Sequence, residues 1–313
     1  MVDPKQTILT MLRAARDVVS GSQLSRSLDV SRVSVWKHVH RLQQLGYEIE
    51  ATPKGYRLVN DSDIPFAWEF PGRETTIHYI PKVESTMVPA RKMARSGCPH
   101  FTVVVAEQQH SGRGRLNRNW HSASGGLYFT VVLRRQIPPV LSPRLNLCTS
   151  LVLAEILRSE YHIPAAVKWP NDVLVDDKKI AGILAEMEAE ADRVTYVNIG
   201  VGVNVNNDPT TAEPGAVSMR QLTGNPVSRK QLLATFLDYY ETRLESVFAT
   251  MEADTVISEW KALSITLGRQ VKIVTLQGET SGQAVDVEAN GSLILELDDG
   301  TLQTILYGDC FHM

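Results

Sequence analysis

A chain of 313 residues, 43% hydrophobic and 21% charged, has the balance of an ordinary folded protein and is long enough for two or three domains with a sizeable core. No apolar run approaches the ~18 residues of a membrane span. A start with Asp3 and Lys5 beside Met1 lacks the regions of a secretory signal, so the expectation is a cytoplasmic protein with no membrane partner. The net charge of −3 hides an asymmetry: residues 1–60 carry nine Lys/Arg against five Asp/Glu, or +4, and the remainder 23 against 30, or −7. That is how a nucleic-acid-contacting module attached to an acidic body distributes its charge.

Ile8, Met11, Leu12 and Ala15 fall at helical spacing, and after Gly21 a second, short helix is expected over Ser22 to Leu28. Asp29-Val30 then makes a turn. Ser31 caps a third helix whose buried stripe is Val35, Val39 and Leu42, with Leu45 one turn on and Gly46 as its stop. The opposite face carries Ser34, Lys37, His38 and Arg41. This is the order of a helix-turn-helix, in which the last helix enters the major groove, so Arg32, Ser34, Lys37 and Arg41 are candidate DNA contacts. Tyr47 to Ala51 and Tyr56 to Val59 are expected to pair around Thr52-Pro53-Lys54-Gly55 as a wing, with Lys54 at its tip in reach of phosphate. Spacing alone leaves open a three-helix protein-interaction module with a solvated basic face.

From about 66 to 265 strand-like runs (Thr76 to Ile80, Thr102 to Ala106, Leu127 to Leu133, Ala165 to Trp169, Val194 to Val205) alternate with helical ones at roughly Ser85 to Arg95, Pro143 to Glu160 and Ser228 to Thr250. A large α/β or α+β domain follows. Between two of its apolar runs lies Gly112-Arg113-Gly114-Arg115-Leu116-Asn117-Arg118. Two glycines there allow φ > 0 and close approach to a ligand, and three arginines offer planar forks to carboxylate or phosphate. No Gly-Lys-Ser/Thr follows, which excludes a Walker A loop. Glu84-Ser85-Thr86 lies upstream, and Lys168-Trp169-Pro170-Asn171-Asp172 and Lys178-Lys179-Ile180-Ala181-Gly182-Ile183-Leu184 lie downstream. Each has a plainer reading: a surface turn, a helix cap, a strand end and a solvated hairpin.

Residues 266 to 313 read as strands Gln270 to Leu276, Thr280 to Glu288, Ser292 to Leu297 and Thr301 to Leu306, with Asn290-Gly291 and Asp299-Gly300 suited to tight hairpins, so a small β-barrel is expected. Cys98, Cys148 and Cys310, widely spaced and without a C-x-x-C pair, read as free thiols; no metal site is expected.

Taken together, the S-T pair, the GRGR loop, the KWPND segment and the K-x-AG-I-L segment, in this order, resemble the biotin protein ligase family. Because the resemblance extends to both end domains, it is to the bifunctional members, ligase and biotin operon repressor in one chain. It implies a multidomain α/β (α+β) protein: a winged helix-turn-helix over 1–62, a class II synthetase-like mixed-sheet catalytic domain over 66–265, and an SH3-like small β-barrel over 266–313. It implies ATP-dependent conversion of biotin to biotinyl-5′-adenylate, with Mg²⁺ on the phosphates, and transfer to a lysine of the biotin carboxyl carrier protein of acetyl-CoA carboxylase. A homodimer on operator DNA, favoured by the adenylate, is implied as well.

By the same resemblance, Ser85, Thr86 and Gln109 bond the ureido ring and Met87 and Gly114 border it. Arg115 and Lys179 meet the carboxyl end as catalytic groups, and Arg113 belongs to the loop that folds over the ligand. The adenylate is held by Arg113, Arg115, Arg118, Lys168 and Asn171, with Trp120 beside adenine and Asn204 on the purine. The chemistry agrees: carboxylate and ATP are both anionic, so cations must converge where they meet. Hydroxyl and amide side chains complement the donors and acceptor of a ureido ring. Two residues depart from the family: Asn117 where Gly is usual, tolerable at a left-handed position, and Met87 where Asn is frequent. A lipoate-type ligase and a ligand-sensing transcription factor with an inactive core remain the competing readings.

Overall fold

The computed structural model describes residues 3–15, 17–135, 142–190, 193–249, 255–275 and 278–313. It divides into two compact units, Met1–Thr75 and Thr76–Met313. The expected strand end at Leu276 and helix end at Thr250 lie outside the described residues.

In the first unit, α1 (Pro4–Ala14) starts where Asp3 accepts the Lys5 N–H and Pro4 takes the first turn, and it buries Ile8, Leu9 and Leu12. Ser20 and Gln23 form a reciprocal capping box at α2 (Gly21–Leu28), and Asp29 ends it in the left-handed region at φ 51°. Ser31 caps α3 (Arg32–Gln44), which buries Val35, Val39 and Leu42 as the sequence indicates. Gly46 follows at φ 90°, a conformation that favours glycine. β1 (Glu48–Thr52) and β2 (Gly55–Asn60) form the antiparallel wing, with Thr52 opposite Gly55. Residues 66–69 pack back on this unit. Phe66 stacks near Tyr47, the Trp68 indole N–H donates to the Tyr47 hydroxyl at 3.0 Å, and Glu69 binds Arg13 at 2.9 Å.

The second unit is built on an eight-stranded mixed sheet. Its strands are β3 (Ile77–Val83), β4 (Thr102–Arg113), β5 (Asn119–Ser122), β6 (Leu127–Leu133), β7 (Ala166–Lys168), β8 (Asp172–Val175), β9 (Lys178–Glu190) and β10 (Arg193–Val203). The order is β3-β4-β6-β10-β9-β8-β7, with β5 hairpinned onto β4; β3 and β4 are parallel and the other pairs antiparallel. Alternation along the strands gives each face its helices. Val104, Val132 and Tyr196 pack against Ala90 and Ala94 of α4 (Met87–Arg95). On the other face Phe129 meets Phe236 of α7 (Arg229–Ala249), beside α5 (Ser142–Ser159) and α8 (Thr255–Leu263). A one-and-a-half-turn α6 (Met219–Thr223), with its own capping box at Ser218, lies between.

The C-terminal part is a five-stranded antiparallel sheet, β14-β13-β12-β11-β15, of β11 (Gln270–Thr275), β12 (Gly278–Val287), β13 (Leu293–Glu296), β14 (Leu302–Ile305) and β15 (Asp309–His312). The Asn290-Gly291 turn touches the larger sheet, where the buried Trp169 indole N–H donates to the Gly291 carbonyl at 3.0 Å. Six of these elements escaped the sequence reading: the short α6, β5 and β8, then α8, β15, and β9 as a 13-residue strand rather than a local hairpin. Among the described residues no helix is long and apolar enough to cross a membrane.

Candidate active site

Every ligand-contacting residue expected from the sequence lines one cleft of about 570 Å³ in the second unit: Ser85, Thr86, Met87, Gln109, Arg113, Gly114, Arg115, Arg118, Trp120, Lys168, Asn171, Lys179 and Asn204. The pleat of β10 explains the opening. Gly200 and Gly202 lie on one face, and a Cβ there would come within 2.8 Å of Met87 Sδ and 2.5 Å of Trp120 Nε1, respectively. Gly202 faces Gly182 of β9 across the ladder, where a Cβ would lie 2.9 Å from Trp120 Cζ3. Trp120 therefore rests on a two-strand floor of bare backbone, and its indole N–H has no hydrogen-bond partner among the described residues. The glycine of the K-x-AG-I-L segment is required by this ring.

The loop turns differently from expectation. Neither Gly112 nor Gly114 has positive φ; Gly114 stands at −110°, and the left-handed residue is Leu116 at φ 48°. Gly112 is needed for close approach instead, because a Cβ there would meet the Trp120 carbonyl oxygen at 2.4 Å. The left-handed position falls one residue before Asn117, so the Gly-to-Asn departure does not control this turn.

At the cleft's polar end, Gln109 Oε1 accepts from the Thr86 N–H (2.8 Å) and hydroxyl (3.2 Å), while Gln109 Nε2 donates to Ser122 Oγ (2.8 Å). Thr130 donates to Thr86 Oγ1 at 2.8 Å, and Ser85 Oγ accepts the Met87 N–H at 3.4 Å. Sequence reading missed Ser122 and Thr130. The available signal was Thr130 itself, the one hydroxyl-bearing aliphatic position in an otherwise fully buried strand.

The charged end gathers five cations. Lys179 Nζ lies 2.7 Å from Asp172 and 5.4 Å from the Trp120 ring centroid. Arg118 pairs with Asp309 of β15 at 2.5 Å and sits over Phe311. Among the described carboxylates Arg113 reaches Glu84, at 3.8 Å. Arg115 and Lys168 have no carboxylate within ion-pair distance among the described residues. Burial lowers the Arg115 pKa below the usual arginine value, partly opposed by the fields of Asp309 and Asp172. A half-buried guanidinium without a counter-ion is relieved by any anion that enters.

Asn171 and Asn204 reach the cleft with amides already in use. Asn171 Nδ2 donates to the Ile183 carbonyl at 2.6 Å, tying the turn after Pro170 to β9, and Asn204 Oδ1 accepts from Asn207 at 3.0 Å. The C-terminal sheet contributes Asp309, Cys310 and Phe311 to the lining. Burial pushes the Cys310 thiol up to about 11, so it stays protonated near neutrality.

In the first unit, Arg32, Lys37, Arg41 and Lys54 are all exposed on α3 and the wing tip. Arg32 donates to Ser22 and Arg41 to Gln44. Ser34 is only half exposed, its N–H and hydroxyl both bonded to the Ser31 cap.

Residues 79–204 match the biotin/lipoate A/B protein ligase family, residues 4–57 an HTH domain, and residues 266–313 the biotin protein ligase C-terminal domain. The chain is 34% identical over 310 residues to the bifunctional ligase/repressor BirA of Bacillus subtilis (strain 168), covering 95% of this chain and 94% of that one. It belongs to the biotin protein ligase family. Its similarity to the bifunctional ligase/repressor BirA of Escherichia coli (strain K12) is 28% identity, covering 96% of this chain and 95% of that one. The biotin protein ligase from Aquifex aeolicus in complex with biotin and ATP superposes with a TM-score of 0.64 at 28% identity, over 76% of this chain and 98% of that one. This family member carries all three matched modules, with the ligase motifs in one cleft.

Proposed function

We infer that this chain joins biotin to a carrier protein at the expense of ATP and that it represses transcription of biotin biosynthesis when loaded with the intermediate. The observation that carries the ligase reading is the cleft's polarity: a closed hydroxyl–amide network at one end, five converging cations at the other, and Arg115 among them without a counter-ion. That is the complement of a ligand with a neutral polar ring and an anionic tail.

In the first step a biotin carboxylate oxygen attacks the α-phosphorus of MgATP, the bond to the β-phosphate bridging oxygen breaks, and pyrophosphate leaves. Arg115 and Lys179 screen the carboxylate from the α-phosphate and stabilise charge in the transition state; Lys168, Arg118 and Arg113 hold the polyphosphate. Magnesium enters as part of the nucleotide substrate. Among the described residues no three His, Cys, Asp or Glu side chains converge into a metal cage, and Mg²⁺ on substrate phosphates needs none. Ser85, Thr86 and Gln109 bond the ureido ring, with Met87 and Gly114 bordering it. Trp120 supports adenine and Asn204 meets its edge, while Asn171 acts mainly by fixing the Lys168 turn. In the second step the neutral amine of one carrier lysine attacks the acyl carbon, AMP departs with the bonding electrons, and the nitrogen loses its proton.

The carrier is the biotin carboxyl carrier protein of acetyl-CoA carboxylase, and the repressor is a cytoplasmic homodimer that sets two winged modules on two operator half-sites. Purified chain, MgATP, biotin and a carrier domain should give a carrier heavier by one biotinyl group. A carrier whose acceptor lysine is replaced by arginine should stay unmodified. No mass gain, or a gain indifferent to that replacement, contradicts the transfer step.

A further inference from the structure

The outward face of α3 carries more than charge. Val33 is 64% exposed and Trp36 56% exposed, and the Trp36 ring stacks on His40 at 5.4 Å with the planes 2° apart. Positions 33, 36, 37 and 40 are neighbours at helical spacing, so an apolar ridge of Val33, Trp36 and the His40 ring runs down the centre of the exposed face, beside Lys37. α3 has no Asp or Glu, and Arg32, Lys37 and Arg41 accompany the ridge. A large aromatic ring held rigid in water on a basic helix is an apolar surface awaiting cover. The cations say what covers it: a polyanion whose groove also offers apolar atoms.

We propose that Val33 and Trp36 read thymine C5-methyl groups in the major groove, so that sequence choice by this helix rests on apolar contact while Lys37, Arg41 and the wing's Lys54 supply phosphate anchoring. The thymine methyl is the apolar group displayed on base edges in that groove. Val33 and Trp36 lie in the N-terminal half of α3, the part of a recognition helix that reaches base edges. The proposal rests on the DNA-binding reading above. It divides labour on one helix: removing an apolar contact should cost discrimination at particular base pairs, whereas removing a cation should weaken all duplexes alike.

The test starts from a random-sequence duplex library selected on the full chain in the presence of biotin and MgATP. The recovered duplex is then compared with a copy in which deoxyuridine replaces thymine, which deletes only the methyl groups, and with an unselected duplex. Wild type should lose roughly tenfold in affinity on methyl deletion at the contacted positions, the size of one lost base-pair contact. Trp36→Ala should lose about as much on the thymine duplex, should no longer distinguish thymine from deoxyuridine, and should keep the wild-type salt slope. Lys37→Ala should still sense the methyls but show a salt slope smaller by about one. Carrier biotinylation by Trp36→Ala should match wild type, which reports an intact ligase unit, and its wild-type affinity for the unselected duplex should report that the first unit keeps its fold. If Trp36→Ala weakens selected and unselected duplexes equally, or still senses the methyls as wild type does, methyl readout is wrong while DNA binding stands. Failure of wild type to enrich any sequence overturns the DNA reading itself.

Discussion

At the scale of single residues, the proposed chemistry rests on Lys179 and Arg115 and the shape of the nucleotide site on glycine. Lys179→Ala should slow adenylate formation by on the order of 10²-fold or more, the usual cost of one preorganised charge-stabilising group, measured as pyrophosphate release with saturating biotin. An unchanged rate removes Lys179 from the first step. Gly202→Ala drives a methyl into Trp120, a contact that starts at 2.5 Å and must be relieved by moving the ring. Overpacking of ~1–3 kcal/mol should raise the KM for ATP about tenfold while leaving biotin affinity alone; equal losses for both substrates would separate Trp120 from adenine. The sequence displayed the residues whose chemistry is conspicuous, the arginines, lysines and hydroxyls. It concealed those whose contribution is geometric. Gly182 and Gly202 matter because they are paired across two strands, and Leu116 rather than a glycine takes the left-handed turn; neither can be seen without register or dihedral angles.

At the scale of elements, β15 is the strand that joins the small sheet to the cleft. Arg269 donates to His312 Nδ1 at 3.1 Å, so the neutral ring carries its proton on Nε2, facing Thr266 Oγ1 at 3.3 Å; Thr266 in turn accepts the Trp169 N–H at 3.0 Å. Burial, aided by Lys168 and Arg269, pushes His312 down to about 4. The unfolded chain, with an ordinary histidine near 6.5, then binds more protons than the folded one between those two values, so stability rises with pH across the window. It is fully present above about 6.5 and is lost as pH falls toward 4. Denaturation midpoints measured from pH 4 to 7 should show this loss, and His312→Gln, which cannot protonate, should flatten its part of the profile; identical profiles would mean His312 is not a neutral strut. The strand was invisible in the sequence because Asp309 to His312 is short and mixed in polarity, and its pairing is with β11, far along the chain. The α3 boundaries, by contrast, were legible to the residue at Ser31, because a cap acts locally.

At the scale of the whole molecule, two activities share one chain, and the proposed link between them is the adenylate. Biotinyl-adenylate, made and retained by the cleft, should increase both self-association and affinity for the selected duplex, with the two effects linked through the same equilibrium. Sedimentation of the chain with and without biotin and MgATP, repeated with the duplex, checks this, and an adenylate that changes neither contradicts the regulatory half. The three-part organisation was readable because each part has its own sequence signature: caps and a basic helix face, four ordered motifs, and hairpin turns. The coupling between parts has no such signature, since it is a difference in free energy between states of the assembled protein. The ligase half can be settled more directly. Purified chain incubated with MgATP and an equal mixture of biotin and lipoate, followed by mass spectrometry of the bound products, should yield biotinyl-adenylate alone; lipoyl-adenylate, or no adenylate, would contradict it.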